Sequence, residues 1–248
     1  DPKDMFKEYG FIRVDEVYHL CAEVFSRAFY KVVSKYSLVL SATINRKDGV
    51  TKVIKWFLGD VVCKLDRKGE DNVLVKVINY ETNDEDFNKV ELNFRGQVNY
   101  TGMIKKICEF NRRSEFILKV LADLLKENPN QQIMILGHQK KLLQYLHDAI
   151  RHRTISTVGY YVGGMKEKDL KISEGKTVII ATYAMAEEGL DIKTLTTLLM
   201  ATPKVDVRQS VGRLLRHKHN QAIIVDIVAV SDTNLRSHQT DSYIVYRL

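Results

Sequence analysis

Cysteine is scarce in this sequence, and its three residues lie far apart. Cys21, Cys63 and Cys108 form neither a closely spaced pair of metal ligands nor an even-numbered disulfide framework. We therefore expect an intracellular, reducing compartment. No apolar run approaches the roughly 18 residues that a membrane-spanning helix needs, and the charged start at Asp1 does not suit a signal peptide. The sequence accordingly predicts no membrane association.

Internal repeats and low-complexity segments are also lacking, which excludes solenoid architectures. The chain does not begin with methionine, so we expect it to be a fragment or a processed chain. Its 248 residues suffice for one large domain or two small ones. Lys and Arg number 38 against 31 Asp and Glu, and the net charge of +7 is compatible with a polyanionic partner.

Strand and helix patterns alternate from about residue 114 onward, which indicates βαβ units and a parallel sheet. We predict strands over 132–136, 177–182, 196–200 and 221–226, and helices over 114–127, 137–150 and 206–215. Two shorter apolar segments, Phe11–Val14 and Leu38–Thr43, predict buried strands nearer the N-terminus.

Polar residues end or directly follow several of these predicted strands. Ligands bind at the carboxyl ends of strands in open α/β sheets, so such residues are candidates for a site. Ordinary strand-end turns are the alternative, and for an isolated pair such as Asp15 and Glu16 they are the simpler interpretation. The candidates are Asp15, Glu16, Ser41, Thr43, Thr182, Gly189 and Asp191.

Two arginines stand out in the segment Gln209–Arg216. Arg213 and Arg216 are three positions apart and therefore share a helix face. Planar guanidiniums bind phosphate in a bidentate manner and stay charged at all working pH values. The alternative is a surface amphipathic helix. Another basic cluster, Gly137–Lys141, lies at the start of a predicted helix. Backbone N–H groups at a helix start can bind a phosphate, and a solvated first turn is the alternative.

In this order, the segments resemble the motifs of superfamily 2 nucleic-acid helicases. The branch that they resemble includes the XPB-type helicases and their relatives in phages and large DNA viruses. The segments Phe25–Ala28 and Asn45–Gly49 resemble the same branch. The matching segments are Asp15–His19 (Walker B or DEAH-type box), Ser41–Thr43 (motif III), Ile135–Gln139 (motif IV), Ala181–Thr182 with Gly189–Asp191 (motif V) and Gln209–Arg216 (motif VI).

The resemblance implies an ATP-dependent DNA helicase or translocase, with ATP and Mg²⁺ bound between two RecA-like domains. Asp15 would hold Mg²⁺, Glu16 would orient the attacking water, and Arg213 and Arg216 would reach the γ-phosphate. The remaining implied roles are nucleotide binding (Gly189, Asp191, Gln209), coupling of the nucleotide site to nucleic acid (Ser41, Thr43) and nucleic-acid binding (Thr182, His138). The branch favours DNA over RNA, and the oligomeric state stays open.

The resemblance also implies a domain plan. Residues 1–60 would be the C-terminal part of a first RecA-like domain, and residues 113–230 would be the helicase C-terminal RecA-like domain. Between them, residues 61–112 would form a connector with its own small hairpin, built from Val61–Leu65, Val73–Ile78 and Val90–Phe94. Residues 231–248 would be a tail.

Two departures from the family pattern alter these expectations. Tyr18 stands where the family's box has its fourth-position histidine, and a tyrosine does not become charged near neutral pH. The sequence also contains no phosphate loop of the form G-x-x-x-x-G-K-[ST]. We therefore predict that this chain alone does not hydrolyse ATP measurably. A non-catalytic nucleic-acid-binding or protein-binding module is the alternative, and a restriction-type or remodelling motor would share the same motifs.

Overall fold

The structure is a computed structural model, and it describes residues 8–15, 34–41, 51–64, 73–188, 192–204, 207 and 222–229. The chain divides into two compact units, Asp1–Gly69 and Glu70–Leu248. Among the described residues, no helix is both long and apolar enough to cross a membrane.

The first unit contains two short parallel strands and a helix. Strand β1 (Phe11–Val14) pairs with β2 (Tyr36–Val39), so that Val14 lies opposite Val39. The bond from the Leu40 amide to the Val14 carbonyl oxygen, 2.9 Å long, extends this pairing past the strand ends. Helix α1 spans Thr51–Leu58. Both predicted strands are present, and the second begins two residues before its predicted start. The prediction that they are buried is wrong at most positions: in these two strands Val14 alone is buried, while Phe11 is 55% and Leu38 45% exposed.

The second unit is built on a six-stranded parallel sheet. Its strands are β3 (Val73–Tyr80), β4 (Gln132–Gly137), β5 (Val158–Tyr161), β6 (Val178–Thr182), β7 (Leu195–Met200) and β8 (Ala222–Ala229). Their spatial order is β3-β8-β7-β4-β6-β5, and every neighbouring pair is parallel. The predicted α/β class with a parallel sheet is therefore confirmed.

Helices connect these strands in chain order. They are α2 (Glu85–Asn88), α3 (Tyr100–Glu109), α4 (Asn111–Glu127), α5 (Lys140–His152), α6 (Glu167–Glu174) and α7 (Tyr183–Glu188). The patterns around α4 and α5 predicted both helices with ends within a few residues. Helices α3 and α6 were not predicted, because their hydrophobic residues are interrupted by lysines.

Both faces of the sheet are covered, as is usual for a parallel sheet. Along β4, Ile133 and Ile135 pack into one hydrophobic cluster with α3, α4 and α5, while Met134 and Leu136 pack into a second cluster on the other face. All four side chains are fully buried. Burial of each stabilises the fold by about 1.5–3 kcal/mol relative to exposure. The uninterrupted apolar run Ile133–Leu136, buried on both faces, therefore suits a central strand.

The interpretation of residues 61–112 as a connector with its own small hairpin needs correction. Val73–Tyr80 pairs in parallel with β8, from Val73 opposite Ala222 to Tyr80 opposite Ala229, and so forms an edge of the main sheet. The hairpin was predicted because polar, turn-rich segments precede and follow this strand, and they do not show that its partner is β8. Residues 61–64 are not in a strand, and Leu92 forms a single antiparallel bridge with Val98. The other domain limits stay predictions.

Candidate functional site

Three neighbouring strands end level with one another at the carboxyl edge of the six-stranded sheet. The register places Gly137 of β4 opposite Thr182 of β6, and Leu136 of β4 opposite Met200 of β7. Residues that follow these strands therefore meet at one edge. This is the edge at which open α/β sheets bind ligands.

The contact between His138 and Thr202 joins the ends of β4 and β7. The backbone N–H of His138 donates to Thr202 Oγ1 over 3.2 Å, and His138 Nδ1 lies 2.8 Å from the same oxygen. Thr202 is fully buried, so its hydroxyl holds the histidine in one position. The loop after β4 is thus ordered by a residue 64 positions further along the chain.

Tyr183 supports this contact from the end of β6. The tyrosine is buried, and its hydroxyl donates a hydrogen bond to the backbone carbonyl of Thr202. Its ring centroid lies 4.8 Å from that of His138. Burial, reinforced by the negative charge of Asp226, raises the pKa of Tyr183, so the hydroxyl stays protonated. Tyr183 therefore acts as a neutral donor that fixes the backbone on which Thr202 stands.

Lys204 brings a positive charge to the same edge. Its Nζ lies 3.1 Å from Glu187 Oε1 and 5.3 Å from the ring centroid of Tyr183. Both charged side chains are only partly exposed. Glu187 and the aromatic ring hold the ammonium group in place, a cation–π contact of a kind that contributes about 0.5–1 kcal/mol.

His138 is neutral at physiological pH in this arrangement. Partial desolvation of its ring, and secondarily the charge of Lys204, lowers the pKa of His138 to about 4. A neutral imidazole accepts or donates hydrogen bonds without adding positive charge. For an anion bound here, lysines would therefore supply the positive charge, and His138 and Thr182 would supply polar contacts.

Arg113 of α4 holds the ends of β7 and β8 from beneath. Its side chain is fully buried; Nη1 donates to the Ala201 carbonyl oxygen at 2.6 Å and Nη2 to the Ile227 carbonyl oxygen at 2.9 Å. The Tyr100 hydroxyl donates to the Pro203 carbonyl oxygen at 3.4 Å. Helices α3 and α4 thus position the segment that carries Thr202 and Lys204.

The predicted residues of the first unit also lie at a strand edge. Asp15 directly follows β1 and is exposed, while Ser41 lies two residues beyond β2 and is half-buried. Because β1 and β2 are parallel and in register, both residues lie at the carboxyl edge of this small sheet. Within the described residues, no group of three or more His, Cys, Asp or Glu side chains is arranged to hold a metal ion.

Seven of the predicted site residues lie outside the described residues. They are Glu16, Thr43, Gly189, Asp191, Gln209, Arg213 and Arg216. Their roles stay predictions, as do those of the described residues Asp15, Ser41, Thr182 and His138.

Sequence reasoning missed the residues that organise this edge. Thr202 lies two residues beyond the buried strand β7, and Thr182 is the last residue of β6, so the same rule could have identified Thr202. Tyr183 and Lys204 carried no such signal. Their importance depends on contacts with residues far away in the sequence.

Comparison with known proteins agrees with the resemblance. A protein of Acanthamoeba polyphaga mimivirus assigned to the ATP-dependent RNA helicases is 35% identical over 241 residues, which cover 94% of this chain and 46% of that protein. An African swine fever virus protein with the same assignment is 24% identical over 266 residues, covering 99% of this chain and 52% of the relative. The chain belongs to the superfamily 2 helicases.

Solved structures agree on the fold. The crystal structure of T4 UvsW superimposes with a TM-score of 0.53 at 20% identity, over 92% of this chain and 47% of that chain. The six-stranded sheet matches the RecA-like domains of solved helicases. No protein-family model matches the sequence. The chain spans about half the length of the curated relatives it matches.

Proposed function

We propose that this chain is part of an ATP-dependent helicase, and that the carboxyl edge of its six-stranded sheet binds the phosphate backbone of single-stranded nucleic acid. The observation that supports the proposal best is the convergence of Thr182, His138 and Lys204 at one edge, on strands that end level with one another. A hydroxyl, an imidazole and an ammonium group are all groups that contact phosphate oxygens.

The start of helix α5 adds a second source of phosphate contacts at this edge. Its first residues, Lys140 and Lys141, are exposed, and Gln139 at the N-cap makes no side-chain hydrogen bond to the helix. The N–H groups of a first turn lack partners within the helix, and the helix dipole favours an anion there. Such contacts are independent of sequence and depend on salt.

For the nucleotide, the family resemblance supports the roles predicted above. Asp15 is an exposed carboxylate at a strand end, which fits the way in which proteins hold Mg²⁺ through one or two carboxylates, waters and substrate phosphates. We propose that Asp15 holds Mg²⁺ and that Arg213 and Arg216 contact the γ-phosphate.

Binding of a fluorescein-labelled single-stranded oligonucleotide tests the proposal. Thr182→Ala should weaken binding about tenfold, which corresponds to the loss of one hydrogen bond to a charged group. Thr177→Ala is the matched control, because Thr177 is also half-buried but precedes the same strand at the opposite edge. Equal affinities of the Thr182 and Thr177 variants would refute the proposed interface.

A salt titration tests the charge contribution. Lys204→Ala should reduce the slope of log affinity against log salt by about 1, because one phosphate contact is lost. Lys76→Ala is the control: like Lys204, Lys76 pairs with one glutamate, Glu127 at 2.7 Å, but it lies on the edge strand β3. A slope unchanged by Lys204→Ala would exclude a phosphate contact at this residue.

Oligonucleotide binding also tests whether the ligand is DNA or RNA. The XPB-type branch favours DNA, whereas the names of the mimivirus and swine fever virus relatives refer to RNA. We propose DNA, and expect oligothymidylate to bind at least as tightly as oligouridylate. Tighter binding of oligouridylate would reverse this assignment.

ATP hydrolysis should be measured in two proteins, the 248-residue chain and a longer one. The 248-residue chain should show no measurable turnover, and a basal turnover abolished by Glu16→Gln would contradict this. A longer protein that includes a phosphate loop should be stimulated by nucleic acid and should lose its turnover in Arg216→Ala. If such a protein binds nucleic acid but never hydrolyses ATP, the non-catalytic binding module is the better description.

A further inference from the structure

A small hairpin, Glu91–Asn99, presents an aromatic ring to solvent. Phe94 lies at its tip and is 91% exposed, the most exposed phenylalanine of the described residues. Leu92 on the same hairpin is 60% exposed. Burying a phenylalanine side chain stabilises a folded protein by about 1.5–3 kcal/mol, and the exposed Phe94 does not make this contribution.

Hydrogen bonds, rather than hydrophobic packing, hold the tip of this hairpin. Asn93 N–H donates to the Gln97 carbonyl oxygen at 2.7 Å, and Gly96 N–H donates to the Asn93 carbonyl oxygen at 2.9 Å. The Asn93 side chain accepts bonds from the Arg95 and Gln97 amides at 2.9 and 3.1 Å. Gly96 adopts a φ of +73°, which favours glycine. Phe94 is therefore displayed on a defined turn.

The base of the hairpin is attached to helix α3. Asn99 N–H donates to the Glu91 carbonyl oxygen at 2.8 Å, and the Asn99 side chain caps α3 by accepting from Gly102 N–H at 3.0 Å. A β-carbon at Gly102 would lie only 2.1 Å from a Glu91 carboxylate oxygen, so the two segments are in close contact. The hairpin thus keeps its orientation relative to α3.

Helix α3 in turn places the hairpin beside the carboxyl edge of the sheet. Tyr100, the first residue of α3, donates to the carbonyl oxygen of Pro203, which lies between Thr202 and Lys204. Phe94 is six residues from Tyr100. The hairpin that carries the exposed ring therefore leads directly into the helix end that contacts this edge.

The charges around the tip favour a polyanion with aromatic groups. The guanidinium carbon of Arg95 lies 5.1 Å from the centroid of the Phe94 ring, and Lys89, two residues before the hairpin, is exposed. The acidic groups Glu91, at the base of the hairpin, and Asp86, five residues before it, interact electrostatically with Lys106. An exposed ring beside a guanidinium suits a nucleobase, because every base can stack on a ring and its phosphate can pair with the arginine.

We propose that Phe94 is a stacking platform for one base of single-stranded nucleic acid, with Arg95 contacting the adjacent phosphate. This inference rests on the proposed function, because the strand must first lie along the carboxyl edge. It adds a contact to the base, whereas the edge itself contacts the backbone.

Binding of oligothymidylate to the full 248-residue chain tests this inference. Phe94→Ala should weaken binding about 5- to 150-fold, the range for the loss of one stacked base, and Phe94→Tyr should restore most of the affinity. Arg95→Ala should reduce the salt dependence of binding. Ile172→Ala, which removes another exposed apolar side chain, should leave the affinity unchanged. Thermal unfolding of Phe94→Ala should match that of the unaltered chain, because the ring is not packed.

A second oligonucleotide, with abasic sites in place of the bases, separates stacking from other effects. The unaltered chain and Phe94→Ala should bind it equally, since no base is left to stack. If Phe94→Ala binds oligothymidylate as well as the unaltered chain does while Thr182→Ala weakens binding, the stacking platform is refuted and the proposed interface survives. If the unaltered chain binds neither oligonucleotide, both proposals fail. A lowered unfolding temperature of Phe94→Ala would indicate a packing role and would also overturn the inference.

Discussion

The Nη1 atom of Arg113 donates a 2.6 Å hydrogen bond to the backbone carbonyl oxygen of Ala201. This bond connects helix α4 to the end of β7, one residue before Thr202. The same guanidinium binds the Ile227 carbonyl oxygen on β8, so one buried side chain ties together two strands and a helix.

Replacing Arg113 with methionine should lower the free energy of unfolding by about 2–4 kcal/mol. The substitution leaves two buried carbonyl oxygens without their donor, and each unsatisfied group costs about 1–3 kcal/mol. Urea unfolding measures the loss. Arg112→Ala is the control, since Arg112 is the exposed neighbour and should change stability by no more than about 0.5 kcal/mol. Equal effects of the two substitutions would show that the buried bonds contribute little.

Gly159→Ala should destabilise the protein, whereas Gly175→Ala should be tolerated. A β-carbon at Gly159 would lie 2.9 Å from the backbone Cα of Ser173, so β5 and α6 would have to separate. Overpacking of this kind costs about 1–3 kcal/mol. At Gly175 the nearest atom would be the Ile172 carbonyl oxygen at 3.7 Å, an ordinary contact. Thermal unfolding of both variants distinguishes them, and similar melting temperatures would contradict the close packing of α6 on β5.

The Glu115 carboxylate should contribute stability that is lost in strong acid. Hydrogen bonds from Arg153, at 2.7 and 2.8 Å, and from the Tyr145 hydroxyl lower the pKa of Glu115 to about 2. Because this pKa is depressed in the folded state, the contribution is present above the ordinary value of about 4.3 and disappears as the pH falls towards 2.

Glu115→Gln should remove this acid-sensitive contribution. The difference between the urea midpoints of the unaltered chain and the variant should be constant above about pH 5 and shrink towards pH 2. The pair is largely exposed, so the difference should be small and should decrease in high salt. A difference that stays constant down to pH 2 would show that the carboxylate's charge does not contribute.

His138 should stay neutral well below the usual range for histidine. Its pKa is lowered to about 4, whereas an unfolded chain has a histidine pKa of about 6.5. Between these values the unfolded chain binds more protons, so the contribution of His138 to stability falls as the pH drops from about 6.5 to 4. NMR titration of the imidazole signals measures the pKa directly. Lys204→Met should raise it, because the second cause of the shift is the charge of Lys204. A midpoint near 6.5 in the unaltered chain would refute this environment.

Much of the fold was predictable from local patterns. Strands β4 and β6 contain the continuous apolar runs Ile133–Leu136 and Val178–Ala181, and β7 ends in the apolar run Leu198–Met200. Both faces of these strands are buried, and such runs are recognisable without any partner. Strand β3 was assigned to a local hairpin because polar, turn-rich segments precede and follow it. Its partner is the distant strand β8, and local patterns do not reveal such a pairing.

The candidate site was predictable only in part. Thr182 and His138 were identified because they follow strands or open a helix, and those positions are visible in the sequence. The contacts that order them come from Thr202, which is separated from His138 by 64 residues, and from Arg113, which lies 88 residues from Ala201. The exposure of Phe94 was likewise invisible, because a hydrophobic residue in an apolar segment is expected to be buried.

The sequence by itself determined the α/β class, the chain order of the strands and the chemical nature of the residues that follow them. These properties depend on the periodicity and polarity of neighbouring residues. Only the tertiary structure decided the spatial order β3-β8-β7-β4-β6-β5, and with it the meeting of His138, Tyr183 and Thr202 at one edge. That order depends on which distant strands pair most favourably, and local sequence patterns do not show which strands pair.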